Sequence, residues 1–95
     1  MNVSAVKLAF GAVVRAHRTD KGLSQEVLAE SAGLHRTYVS LIERGIRNPT
    51  LTSIIALAIA LDVRPEGLVK AAVPPGLKRG GKKSRTSRAN PVKTK

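Results

Sequence analysis

The side chains able to do chemistry in this 95-residue chain are mostly cationic: seventeen Lys and Arg stand against six Asp and Glu, a net charge of +11. Other chemistries lack their parts. There is no Cys, hence no disulfide, no thiolate zinc site and no cysteine nucleophile. His17 and His35 lie eighteen residues apart, which matches no standard zinc spacing. They read as a packed imidazole and a helix-end residue. The Ser and Thr residues have no accompanying His/Asp arrangement, and Gly80-Gly81 is not a phosphate-cradling loop. No catalytic residue, metal or cofactor is therefore expected. Phe10 and Tyr38 are the only aromatics, too few for a platform that stacks single-stranded bases. The excess charge suits polyanions, with nucleic acid first among them. An arginine such as Arg36 can fork onto O6 and N7 of guanine, and Thr37 can meet a thymine methyl or a phosphate.

The charge is unevenly placed. Residues 77–95 hold eight cations and no acid, leaving nine cations and six acids in residues 1–76. Only Leu77, Ala89 and Val92 are apolar in that stretch. It cannot bury enough surface to offset its ordering entropy, so a disordered basic tail is expected over 77–95, with Pro74-Pro75-Gly76 as the boundary. The folded domain is expected within 1–76. No apolar run approaches bilayer length, and no charged segment precedes a long apolar core at the N-terminus. The expectation is a soluble, cytoplasmic protein that does not enter membranes.

The elements that must position these residues read as helices separated by short breaks. A first helix is expected over about 4–21, with Val6, Phe10, Val13 and His17 on one face. Ser24 is a good N-cap for a second helix over 24–32, with Leu28, Ala29 and Ala32 inward and Gly33 as its stop. A third runs over 36–44, with Val39 and Ile42 inward and Arg36, Thr37, Ser40 and Arg44 outward. Thr50 caps a fourth over 51–61, whose apolar face is Leu51, Ile54, Leu57, Ala58 and Leu61. Pro65, a favoured first helical residue, opens a fifth over 65–72, with Leu68 and Val69 inward. Ile55, Ile59 and Val69 exceed what so small a core needs. They either complete the core or form a dimer interface.

Two short helices joined by a Gly-containing turn suggest a helix-turn-helix. The stretches Leu23-Ser24-Gln25-Glu26-Val27-Leu28-Ala29, Ala32-Gly33-Leu34, Tyr38-Val39-Ser40-Leu41-Ile42-Glu43-Arg44-Gly45 and Asn48-Pro49-Thr50-Leu51 closely resemble the lambda-repressor-like, Cro/C1-type (XRE) family. The resemblance covers about residues 8–70. Within the family the chain looks most like small single-domain regulators, including restriction–modification controller proteins. It departs from the common pattern at Val27, where Glu would complete the capping box begun by Ser24. It departs also at His17, where Leu is usual, and at Arg64, where Ser commonly caps the fifth helix.

The resemblance implies an all-α, five-helix domain whose third helix lies in the major groove of double-stranded DNA. By that reading Arg36, Thr37, Ser40 and Leu41 address base edges. Ser24, Gln25, Tyr38, Arg44, Arg47, Asn48 and Thr50 address the sugar–phosphate backbone, Gln25 as a phosphate clamp. For Tyr38, a ring packed on the second helix with its hydroxyl on a phosphate stands beside a plain surface contribution to the core. Arg18 and Glu43 match a family ion pair between helices 1 and 3. The surplus of Ile55, Ile59 and Val69, apart from the resemblance, has the dimer interface as its functional reading. The implied function is a sequence-specific transcriptional regulator, a homodimer on a palindromic operator. An antitoxin of the same fold, or a factor bridging other transcription proteins, is the competing class, so a protein partner stays open.

Overall fold

The computed structural model describes residues 1–73. The expected tail, 77–95, and its Pro74–Gly76 boundary lie outside the described residues. Five helices occur among the described residues, without strands: α1 (Val3–Asp20), α2 (Gln25–Ala32), α3 (Arg36–Glu43), α4 (Leu51–Leu61) and α5 (Pro65–Ala71). The all-α, five-helix expectation holds, with ends displaced by a single residue. α1 starts early because Asn2, not a later residue, is its cap: the Asn2 side chain accepts the Ala5 N–H at 3.1 Å. Ser24 Oγ accepts the Val27 N–H at 3.0 Å and Thr50 Oγ1 accepts the Ser53 N–H at 3.1 Å, so α2 and α4 begin where hydroxyls close their first turns.

α2 and α3 have eight residues each, too few to persist alone. Their anchors hold them. Leu28, Val39 and Ile42 are buried in a core with Phe10, Val14, Leu57, Leu61 and Leu68. Each such side chain contributes about 1.5–3 kcal/mol on burial. α1 packs on α3 and α5, α2 on α3 and α4, and α4 on α5.

The inward faces differ from expectation at three places. In α1 the buried residues are Phe10, Gly11 and Val14, while Val6, Val13 and His17 are half-buried. The seam is turned toward Gly11 because α3 ends against it. A Cβ built there would lie 2.7 Å from the Glu43 carbonyl oxygen and closer still to that of Ile42. In α4, Leu51 is 73% exposed and Ser53 is buried. Leu51 is the first helical residue, at the end of α4 and nearly two turns before the Leu57–Ala58–Leu61 stretch buried in the core. In α5, Val69 is exposed beside buried Leu68. Gly45 completes the α1–α3 junction. Its φ of +73° suits glycine, and a Cβ there would come 2.9 Å from Leu8 Cα.

Candidate nucleic-acid interface

α3 buries Val39, Ile42 and Glu43 and turns its other side outward. Arg36 and Thr37, in its first turn, are exposed, as is Arg44 just past its end; Ser40 and Leu41 are half-buried. His35 is the N-cap, in extended backbone, and its side chain makes no capping hydrogen bond. Arg36 forms no ion pair among the described residues. The outward turn therefore presents a guanidinium and a hydroxyl on a helix fixed from behind.

That fixing runs through a network of three side chains and one backbone carbonyl. Arg18 Nε donates to Glu43 Oε2 at 2.7 Å and Arg18 Nη2 to Glu43 Oε1 at 3.0 Å, a forked pair. Arg18 Nη1 donates to the Leu23 carbonyl at 2.7 Å, tying the same guanidinium to the turn before α2. The Glu43 side chain is 2% exposed and that of Arg18 12%. The hydrogen bond to Glu43 raises the Arg18 pKa, against burial, so the pair stays charged. Gln25, expected to address a phosphate, has its amide nitrogen donating to Glu43 Oε1 at 3.1 Å. The amide nitrogen has two N–H groups, so this bond leaves one for a second acceptor.

Tyr38 faces the start of α4. Its hydroxyl shares a hydrogen bond with Ser53 Oγ at 3.1 Å and accepts the Thr50 N–H at 3.4 Å. Its ring packs against the core. The Arg47 guanidinium lies 5.3 Å from the ring centroid, a cation–π arrangement. Burial pushes the phenol up, but the hydrogen bonds with Ser53 and Thr50 and the Arg47 charge outweigh it, leaving the pKa below its ordinary value. So the structure seats the hydroxyl on the cap of α4. Arg47, Asn48 and Thr50 are exposed along the α3–α4 connection, and Ser24 is exposed at the cap of α2. The buried Ser53 is not legible in the sequence, where a Ser inside an apolar run gives no sign of facing inward. Its hydroxyl donates to the Thr50 carbonyl at 2.9 Å.

Ile55, Ile59 and Val69 are 41%, 72% and 48% exposed, so they do not complete the core of a single chain. No group of three or more His, Cys, Asp or Glu able to hold a metal occurs among the described residues. None of the described helices is long and apolar enough to cross a membrane. At the fifth helix, Arg64 caps without a side-chain hydrogen bond to the backbone and instead pairs with Glu66, its Nε donating to Oε2 at 2.8 Å.

Two eight-residue helices joined through Gly33, with the second held at its inner face and bare along its outer one, define a helix-turn-helix. The helix-turn-helix family model matches residues 14–68, and the chain belongs to that family, in its Cro/C1-type (XRE) branch of transcriptional regulators. The chain is similar to the control protein C.BamHI of Bacillus amyloliquefaciens, 48% identical over 65 residues that cover 67% of this chain and 80% of that protein. Among solved structures it resembles the restriction–modification controller protein C.AhdI from Aeromonas hydrophila, at 52% identity and a TM-score of 0.64, over 65% of this chain and 94% of the other. It also resembles the biofilm regulator SinR of Bacillus subtilis, solved in complex with DNA, at 34% identity and a TM-score of 0.61, over 63% of this chain and 97% of the other.

Proposed function

We propose that this chain is a sequence-specific, duplex-DNA-binding transcriptional regulator of the controller type, working without a catalytic step in the cytoplasm as a homodimer on a two-fold symmetric operator. The observation that carries the reading is the first turn of α3. Arg36 and Thr37 are exposed there, while Glu43 and Ile42 lock the same helix against α1. In the major groove this turn meets base edges, with Ser40 and Leu41 one turn further on. Gln25, anchored to Glu43, has a remaining N–H for a phosphate, and Arg44, Arg47, Asn48, Ser24 and Thr50 offer further backbone contacts. Tyr38 serves by holding the α3–α4 connection through Ser53 and Thr50.

Exposed Ile55, Ile59 and Val69 supply the dimer face. A two-fold dimer places its recognition helices about one helical turn, ~34 Å, apart. We read residues 1–76 as the DNA-binding domain and 77–95 as a basic tail. The antitoxin reading draws no support from the relatives named above, which are controllers and regulators. Selection of bound sequences from a random duplex pool tests the proposal. A palindromic consensus supports it, and retention of duplexes without any consensus contradicts it.

A further inference from the structure

On the reading that α3 meets base edges, we infer that Leu41 reads a pyrimidine C5-methyl group in the major groove. Each half-site then sets a thymine against Leu41, and a 5-methylcytosine offers the same contact. The placement follows from the buried side of the helix. Val39, Ile42 and Glu43 are buried. A helix turns about 100° per residue, so the direction opposite those three falls on Thr37 and Leu41. Four residues apart, these two are neighbours in one row along the middle of the outward face. Arg36 and Ser40 lie on one flank of that row. Tyr38 lies on the other, with its hydroxyl on the start of α4.

Leu41 is half-buried, yet it belongs neither to the core nor to the apolar side chains packed on it. Its backbone is held: the Leu41 carbonyl accepts the Ile46 N–H at 2.9 Å and the Arg47 N–H at 3.3 Å, pinning the end of α3 to the connection that follows. The side chain is thus apolar, off the core and fixed in the middle of the outward row. Its isobutyl group neither donates nor accepts a hydrogen bond, so it cannot read the amino, carbonyl or ring-nitrogen groups of a base edge. The apolar feature of that edge is the C5-methyl of thymine. Cytosine carries only a hydrogen at C5, and methylation there creates the same methyl. Thymine and 5-methylcytosine differ at C4, an acceptor in one and a donor in the other, which Leu41 does not sense. Hydrogen-bonding readout falls to Arg36 and Ser40 on the flank. Affinity for the operator therefore depends on whether a cytosine set against Leu41 is methylated.

The test alters the DNA and keeps the full chain. On a duplex carrying the selected consensus, each thymine of the half-site is replaced in turn by uracil, in both half-sites at once. This removes the methyl and leaves O4. At one symmetry-related pair, wild-type binding should weaken by about fourfold per half-site, the worth of one buried methyl. Leu41→Ala, its helices checked by circular dichroism, should bind the thymine and uracil duplexes equally at that pair. With cytosine placed there instead, 5-methylation should strengthen wild-type binding by a similar factor and leave Leu41→Ala unchanged. Equal wild-type affinity for thymine and uracil at every position overturns the inference without needing the variant, as does a selected half-site that lacks thymine. Retention of every methyl effect by Leu41→Ala overturns it too. Failure of the wild-type chain to select any consensus would instead strike the proposed function.

Discussion

Glu43 Oε2 accepts the Arg18 Nε–H at 2.7 Å across twenty-five residues of sequence, fastening the end of α3 to the end of α1. The same carboxylate holds Gln25 at the start of α2. One buried acid thus sets the relative positions of the three helices that shape the proposed DNA surface. Such a pair adds little over a well-packed apolar substitute, but a lone survivor is a buried, unpaired charge.

Arg18→Met should therefore destabilise the fold by about 3 kcal/mol, read as a lowered urea midpoint. Arg18→Met with Glu43→Leu should recover much of that loss. If the double variant is no more stable than the single one, the buried charge is not the source of the cost.

Two helical glycines should respond to alanine with opposite signs. At Gly11 the new methyl would press on the Ile42 and Glu43 carbonyls, which are backbone atoms and cannot swing away. A loss of about 2–3 kcal/mol is expected. At Gly67, in α5, nothing lies within 4 Å, so Gly67→Ala should gain about 0.5–1 kcal/mol from chain entropy and helix propensity. Thermal unfolding of both variants checks the pair, and equal signs would contradict the α1–α3 geometry.

Much of this fold is legible in the sequence because its punctuation is local. Ser24, Thr50, Pro65, Gly33 and Gly45 mark helix ends through their own backbone and hydroxyl chemistry. What depends on a distant neighbour is not legible. Gly11 reads as a weak helix position until α3 is seen to end against it. The α4 run Leu51-Thr52-Ser53-Ile54-Ile55-Ala56-Leu57-Ala58-Ile59-Ala60-Leu61 is so continuously apolar that its period cannot choose a face. The pattern therefore points Leu51 inward and gives no sign of the buried Ser53. The proposed site divides likewise. The outward residues of α3 follow from helical spacing, and the Arg18–Glu43 pairing follows only from family resemblance. The Gln25–Glu43 bond and the seat of the Tyr38 hydroxyl on the α4 cap were not visible before the helices were assembled.

Gln25→Ala should weaken operator binding by about 1.5–3 kcal/mol per half-site, the value of a hydrogen bond to a charged group. Because phosphate contacts position and do not specify, the selected consensus should be unchanged. A shifted consensus would assign Gln25 to base readout.

Ile59→Glu places a charge on the most exposed of the three apolar residues proposed for dimerisation. Burying that charge in an interface is costly unless it is paired, whereas in the single chain it meets solvent. Sedimentation should show monomers with helical circular dichroism retained. A dimer of undiminished stability would move the interface elsewhere.

Whether the first turn of α3 reads bases is decided by parallel selections with the wild type and Arg36→Ala. Both proteins are challenged with one random duplex pool at one salt concentration. The wild type should return a two-fold consensus. The variant should return the same consensus with one symmetry-related pair of positions relaxed, at a cost of about 1–3 kcal/mol per half-site. Two identical consensus sequences, with the variant merely weaker on every duplex, would show that Arg36 touches phosphate and that the bases are read from elsewhere.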